Sequence, residues 1–386
     1  MYKFLDYVPQ PEPVSSDFYV MCHYYPGWAV RHNGWSDFSN ILDFPERTPL
    51  MGFYDERNPE VIDWEIKWAL EHGIKCFVYC WYRRTENIGK PVTKADLFYA
   101  HQLDALEKAR YKDMMDFAIM WEGDCAGCAA DQDDLVNNLL PFWVENYFSR
   151  PNYTKIGNKP LLFVYDHTQR IIRTMGGPEK MRAALDACQE KIKEYGFDGM
   201  VIQTEYRYDD PAMLEMYRTI GYDQTFAYCW NTLQQFPTQE QVLERQLFLM
   251  QSHLDFDPNF TTLTCSQSWD PSPWWRHDPN LSSRIGRWKL TPQNWRVLLE
   301  KVKELADSMP ESALGRRYVM LDNWNEWCEG HYIAPHLEGG FKYLQAVREV
   351  FTTRDNLPDY RLPQTLGLGP YDRNIDLSAS MPKGFD

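Results

Sequence analysis

The chain has 386 residues, enough for two average domains or for one α/β barrel with long loops, and its 44% hydrophobic content supplies a large core. A formal net charge of −15 with no basic stripe argues against nucleic acid or an anionic membrane surface as a main partner. Nothing in the composition suggests disorder or a fibre; its outlier is 15% aromatic residues, including 15 Trp and 24 Tyr, which suit a large aromatic core or a cleft where sugar rings stack on flat faces.

Apolar runs and amphipathic helical segments alternate along the chain. Strand 18–25 leads to helix 58–72, opened by Asn58 as a cap with Pro59 at the first helical position and stopped by Gly73. Strand 75–82 leads to helix 94–110, and strand 116–121 to helix 132–148. Strand 160–166 precedes helix 178–195, which begins at Pro178 and stops at Gly196. Strands 199–205, 223–230 and 261–268 precede helices 210–220, 238–252 and 291–308, the last opened by Thr291 and Pro292. Strand 317–324 and helix 339–351 complete the series. The strands are short and mostly apolar, as strands buried on both faces should be.

Crossovers longer than a dozen residues demand parallel pairing, and eight βα units close into a (β/α)₈ TIM barrel with long strand-end loops. The rival is an open doubly wound sheet, which would carry a Gly-rich turn after its first strand; none is there. The expectation is one catalytic domain over 1–386, with residues 1–16 and 353–386 as extended tails on the barrel.

The 9 Cys are odd in number, and Cys22, Cys76, Cys80 and Cys265 sit inside strand-like runs, which reads as reduced, buried thiols. Cys125 and Cys128 form a lone C-x-x-C without a second pair, so no metal is expected, and no cofactor is either. Asp131-Gln132-Asp133 has the form of a metal-holding D-x-D but opens a helix, where it reads as a cap. No apolar stretch reads as a signal peptide or a membrane span. The chain as written is expected to be cytoplasmic, or periplasmic or secreted if a signal has been removed; its oligomeric state is not given by the sequence.

Chemistry in a barrel belongs to the loops after the strands. Polar and aromatic residues crowd there: His23, Tyr24, Tyr25 and Trp28 after the first strand, Trp81 after the second and Glu122 after the third. Glu205 and Tyr206 follow the fifth, Trp230 the sixth and Trp269 the seventh; Asn323, Asn325, Glu326, Trp327 and Glu329 follow the eighth. Trp274 and Trp275 sit in a long loop where exposure is costly unless something covers them. Glu326 and Glu329 lie three apart among Trp324 and Trp327, and a tight turn would present both to one cleft. A carboxyl near apolar rings has its charged form disfavoured, which suits a general acid; glycosidic cleavage needs such an acid and a second carboxylate. The plain alternative is a capping or salt-bridging pair on a loop.

The run Trp324-Asn325-Glu326-Trp327-Cys328-Glu329-Gly330 resembles the WNEW-x-EG signature of glycoside hydrolase family 99 and its relatives, which include proteins of bacterial polysaccharide gene clusters. His23-Tyr24-Tyr25-Pro26-Gly27-Trp28 and Gly52-Phe53-Tyr54-Asp55 resemble motifs of the same group, and the likeness covers roughly 18–351. It implies a barrel that cuts α-mannosidic bonds with retention. Glu326 would act as base on the sugar's own 2-hydroxyl, giving a 1,2-anhydro sugar, and Glu329 as general acid and then base. Cys328 and His331 differ from the residues expected in characterised mannosidases, so sugar, linkage and endo or exo action stay open. Two alternatives stand beside a hydrolase of oligosaccharide or polysaccharide. One is a glycosyltransferase or other polysaccharide-assembly enzyme, for which no phosphate-cradling Gly loop is seen; the other is a non-catalytic glycan-binding barrel.

Overall fold

A computed structural model describes residues 4–28, 36–124, 126–232, 234–276, 280, 286–353 and 355–372. Cys125, half of the C-x-x-C, and the ends of both tails (1–3 and 373–386) lie outside the described residues.

Eight parallel strands form the core: β1 Tyr19–Tyr24, β2 Ile74–Trp81, β3 Asp116–Glu122, β4 Lys159–Tyr165, β5 Val201–Glu205, β6 Gln224–Phe226, β7 Leu263–Ser266 and β8 Tyr318–Asp322. Their order is β6-β5-β4-β3-β2-β1-β8-β7. The return from β7 to β6 is a single parallel bridge, Thr225 to Thr261, with the Thr262 N–H donating to the Thr225 carbonyl at 2.9 Å. The barrel is therefore nearly closed. Polar side chains stitch the seam: Gln203 donates to Gln224 at 2.9 Å and accepts from the Thr262 hydroxyl at 3.0 Å. β6 is shorter than the predicted 223–230. Beyond Phe226 the backbone leaves the ladder, with the N–H groups of Ala227 and Trp230 donating to the hydroxyls of Thr264 (3.2 Å) and Ser266 (3.0 Å).

Helices cover the barrel: α1 Pro59–Glu71, α2 Ala100–Lys108, α3 over 132–148, α4 Pro178–Lys191, α5 Pro211–Ile220, α6 Gln239–Phe256, α7 Pro292–Ser308 and α8 Lys342–Phe351. Asn58, Asp210, Thr238 and Thr291 cap four of them through their side chains, as such residues do at a helix start. α3 widens twice into i→i+5 turns, at Leu135–Leu139 and Val144–Phe148, on either side of Pro141, which has no N–H to donate. The predicted helix 94–110 splits into a turn at Lys94–Asp96 and α2. The break has a cause: the N–H groups of Arg84 and Phe98 donate to the carbonyls of Asp96 (2.8 Å) and Tyr82 (3.1 Å), pinning this segment to the loop after β2.

The N-terminal segment runs extended along the barrel, with Leu5 N–H donating to the Leu366 carbonyl at 3.0 Å and Val14 N–H to that of Leu70 at 3.3 Å. Among the described residues no helix is long and apolar enough to cross a membrane. The described cysteines are buried.

Candidate active site

The chain after β8 doubles back as a hairpin. Asn325–Glu326 pairs antiparallel with His331–Tyr332, placing Glu326 opposite His331. Gly330 takes φ +80°, a left-handed conformation glycine adopts without strain, and a Cβ there would lie 2.8 Å from the Asp270 backbone nitrogen. That nitrogen donates to the Glu329 carbonyl at 2.6 Å. Buried Arg47 braces the turn, donating to the carbonyls of Trp327 (2.9 Å) and Asp270 (3.0 Å) and pairing with the Asp270 carboxylate at 2.6 Å. Asn325 clamps the loop after β1 by accepting from the Tyr25 N–H (2.9 Å) and donating to its carbonyl (3.0 Å). Trp324 packs on Phe77 and donates to Glu65 at 3.1 Å. Trp327 lies against Tyr332 and faces the Tyr54 hydroxyl at 3.3 Å. Trp324, Asn325, Trp327 and Gly330 thus each have a separate mechanical part, and Glu326 and Glu329 are left facing a cavity.

That cavity has a volume of about 320 Å³. Its wall takes Tyr25 from the end of β1, Tyr82, Phe98 and Tyr99 after β2, and Met120, Glu122 and Ala126 from β3 and its loop. Tyr165 closes β4, Arg207 follows β5, Tyr228 follows β6, Trp269 and Trp274 follow β7, and Glu326 and Glu329 follow β8. All eight strand ends contribute.

The two glutamates stand in different electrostatic settings. Glu326 is 3% exposed; one carboxyl oxygen accepts from the Tyr228 hydroxyl at 3.3 Å and the other has no hydrogen-bond partner. Burial, then the charge of Glu329, hold its carboxyl well above the usual range, against the pull of His331. Glu329 meets His331 Nε2 at 2.9 Å, and its side chain is 28% exposed. Burial opposes a charge on His331, but Asp322 and Glu329 outweigh it and bring the imidazole to about 9. Below that pH the ring is an imidazolium.

Of the predicted residues, Tyr25, Glu122, Trp269, Glu326 and Glu329 line the cavity. Others lie behind or beside it. His23 is fully buried under the Tyr228 ring, among Phe163 and Phe226, and burial, with His331 nearby, lowers it to about 3. Tyr24 points away from the cavity and donates to Glu65 of α1 at 2.8 Å, because successive strand residues face opposite sides. Trp28 packs on Phe38; Trp81 packs on Phe142 and Trp143; Trp230 donates to the Thr264 carbonyl at 2.8 Å. Tyr206 lies against Tyr217 and His253. Asn323 sits by His331 Nδ1 at 3.4 Å. Glu205 is buried and supports the wall from behind, paired with Arg207 at 2.5 Å and with His167 at 3.3 Å. Tyr24, Trp28, Trp81 and Trp230, expected at the barrel mouth with the other strand-end residues, are packed in the core instead. Asp131 caps α3 through the Asp134 N–H at 3.0 Å.

The structure adds Tyr82, Phe98, Tyr99, Tyr165, Arg207, Tyr228 and Trp274 to the wall. Tyr82, Tyr165 and Tyr228 close predicted strands, so alternation from a buried neighbour was their available signal. Phe98 and Tyr99 fell inside the span read as helix. Trp274 is half-buried and lines the cavity, whereas Trp275 is 41% exposed. Among the described residues, Cys229, Asp322 and His331 bring metal-ligand atoms within 4.8 Å of one another. His331 Nε2 meets Glu329 and its Nδ1 faces the Asn323 amide, so the ring already belongs to a polar network.

Two chains of WxcX, an uncharacterised protein from two strains of Xanthomonas campestris pv. campestris, are 24% identical over 368 residues, covering 90% of this chain and 49% of theirs. The chain therefore spans about half the length of these curated relatives. A family 99 endo-α-mannosidase from Bacteroides thetaiotaomicron superposes with a TM-score of 0.61 at 14% identity, covering 87% of this chain and 97% of that one. A glycoside hydrolase-like protein gives the same TM-score and identity over 91% and 98%. These structures share the (β/α)₈ fold, and the signature after β8 is family 99-like. The profile of the family described as Glycosyltransferase WbsX matches residues 42–347, and the chain belongs to that family.

Proposed function

We propose that this protein is a glycan-active enzyme, and more narrowly a retaining glycoside hydrolase acting on α-linked, mannoside-like glycans. The observation that carries the reading is the convergence of Glu326 and Glu329, from one hairpin, on a ring-walled cavity. Glu326 acts as base on the substrate's 2-hydroxyl. Its buried setting makes the ionised form a strong proton acceptor, and the attacking oxygen is already attached to the sugar, so proximity is built in. Glu329, the more exposed of the two, protonates the leaving oxygen and then activates the water that opens the 1,2-anhydro sugar. Tyr25, Tyr82, Tyr99 and Trp269 offer ring faces and hydroxyls to the glycan.

The family description favours a second reading, glycosyl transfer from a nucleotide-sugar. Such a donor brings a diphosphate needing cationic partners. Among the described lining residues Arg207 is the one cation, and it is already paired with Glu205. The separating experiment presents α-mannosides, α-rhamnosides and related bacterial and plant glycans to the wild type and to Glu326→Gln and Glu329→Gln. A parallel set supplies nucleotide-sugars with the same glycans as acceptors. The expected result is release of reducing sugar, lowered in either variant by ~10²–10⁴-fold with binding retained. Transfer without hydrolysis, or unchanged turnover in Glu329→Gln, sinks the hydrolase reading.

A further inference from the structure

We propose that His331 is a positioning residue that stores the proton Glu329 delivers to the leaving oxygen and recovers from water. The proposal rests on the hydrolase reading above. His331 is fully buried directly behind Glu329, on the hairpin strand opposite Glu326. Its Nε2 lies 2.9 Å from Glu329 Oε2, and its Nδ1 lies 3.6 Å from Asp322 Oδ2, an ion-pair approach longer than a hydrogen bond. Asp322 is buried, with one oxygen accepting from the Gln267 N–H at 3.0 Å and Oδ2 otherwise unpartnered. The Asn323 Oδ1 is unpartnered too, and half a turn of that amide sets it against the imidazolium Nδ1–H.

The groups facing His331 from each packed element agree with a cationic ring. β8 brings Asp322, and the hairpin brings Glu329 and Glu326. β1 brings His23, which is neutral. Tyr228 and Cys229 follow β6, and the Trp269 ring follows β7. Carboxyl groups are the charged neighbours in this set, and Asp322 with Glu329 holds the proton on His331 to about pH 9.

The proton count closes. In the first step the Nε2 proton passes through Glu329 to the glycosidic oxygen as its bond to the anomeric carbon breaks. The 2-oxygen bonds that carbon and gives its proton to Glu326. In the second step water bonds the anomeric carbon as the 2-oxygen leaves it. The 2-oxygen takes its proton back from Glu326, and the water's proton returns through Glu329 to His331. One water is consumed, and every side chain ends as it began.

Two measurements test this. The first compares kcat/KM against pH for wild type, His331→Gln and the shape-conserving Asp322→Asn, using a glycan and the matching α-glycosyl fluoride, which leaves with little need of a proton. The expected wild-type alkaline limb lies near pH 9. His331→Gln is expected to lose on the order of 10²-fold on the glycan, far less on the fluoride, and that limb. The second follows the His331 ring by nitrogen NMR. A midpoint near 9 that drops in Glu329→Gln and in Asp322→Asn supports the relay; a midpoint at or below the ordinary histidine value of about 6.5 overturns it. A wild type that cleaves glycosides while His331→Gln keeps its limb, or loses equally on both leaving groups, overturns the relay alone. A wild type that cleaves no glycoside overturns the hydrolase reading and the relay with it.

Discussion

Two buried carboxyl groups near the end of the barrel illustrate how environment sets the task of a residue. Glu326 faces the cavity and the Tyr228 hydroxyl; Glu65 of α1 faces Tyr24 and Trp324, outside it. Burial raises Glu65 to about 8, with Glu56 adding to the effect. An unfolded glutamate titrates near 4.3. The folded state therefore holds a proton that the unfolded state has released between these values. The stability tied to Glu65 is complete below the unfolded value and is lost as pH rises through about 8. Glu65→Gln cannot ionise, so its Tm relative to wild type should improve from pH 5 to pH 9; a pH-independent difference excludes this account. At Glu326 the Tyr228 hydroxyl supports the charged form. Tyr228→Phe removes that donor and should move the acid limb of kcat/KM to higher pH, lowering activity most on the acid side of the optimum. An unmoved limb means that the ionisation of Glu326 does not set it.

The hairpin after β8 is an element whose sequence encodes its own geometry. Gly330 combines a left-handed φ with a close approach to the Asp270 backbone, two demands that no side chain meets. Gly330→Ala should cost on the order of 1–3 kcal/mol and lower Tm by several degrees. Activity should fall further than stability, because the adjoining Glu329 shifts with the turn. A variant with wild-type Tm and turnover contradicts the strain argument. The segment after β2 is the opposite case. Its helical pattern over 94–110 was overridden by backbone hydrogen bonds to Tyr82 and Arg84, which expose Phe98 and Tyr99 to the cavity. Local periodicity carries no record of such distant partners.

In the whole molecule the parallel ladder is continuous from β6 round to β7 except at the seam between them, where one bridge and a set of Gln and Thr side chains stand in for it. Native-state hydrogen exchange should find the amides of Ala227 and Thr262 exchanging faster than those of β1 and β2, since few backbone bonds must break to free them. Equal protection around the barrel would show that the side-chain stitching is as strong as a ladder. The barrel was readable in the sequence because eight βα periods, their caps and their crossover lengths are local properties, and because parallel strands buried on both faces leave continuous apolar runs. The acidic pair was readable for a similar reason: a signature just past the last strand must sit at the barrel mouth. Which neighbouring side chains would face the cavity was settled only in three dimensions. Side-chain direction alternates from one residue to the next in extended chain, so Tyr25 lines the site while Tyr24 bonds α1. The charge on His331 likewise follows from Asp322 and Glu329 converging on one buried ring, an arrangement that exists only once the hairpin has closed over the strand end.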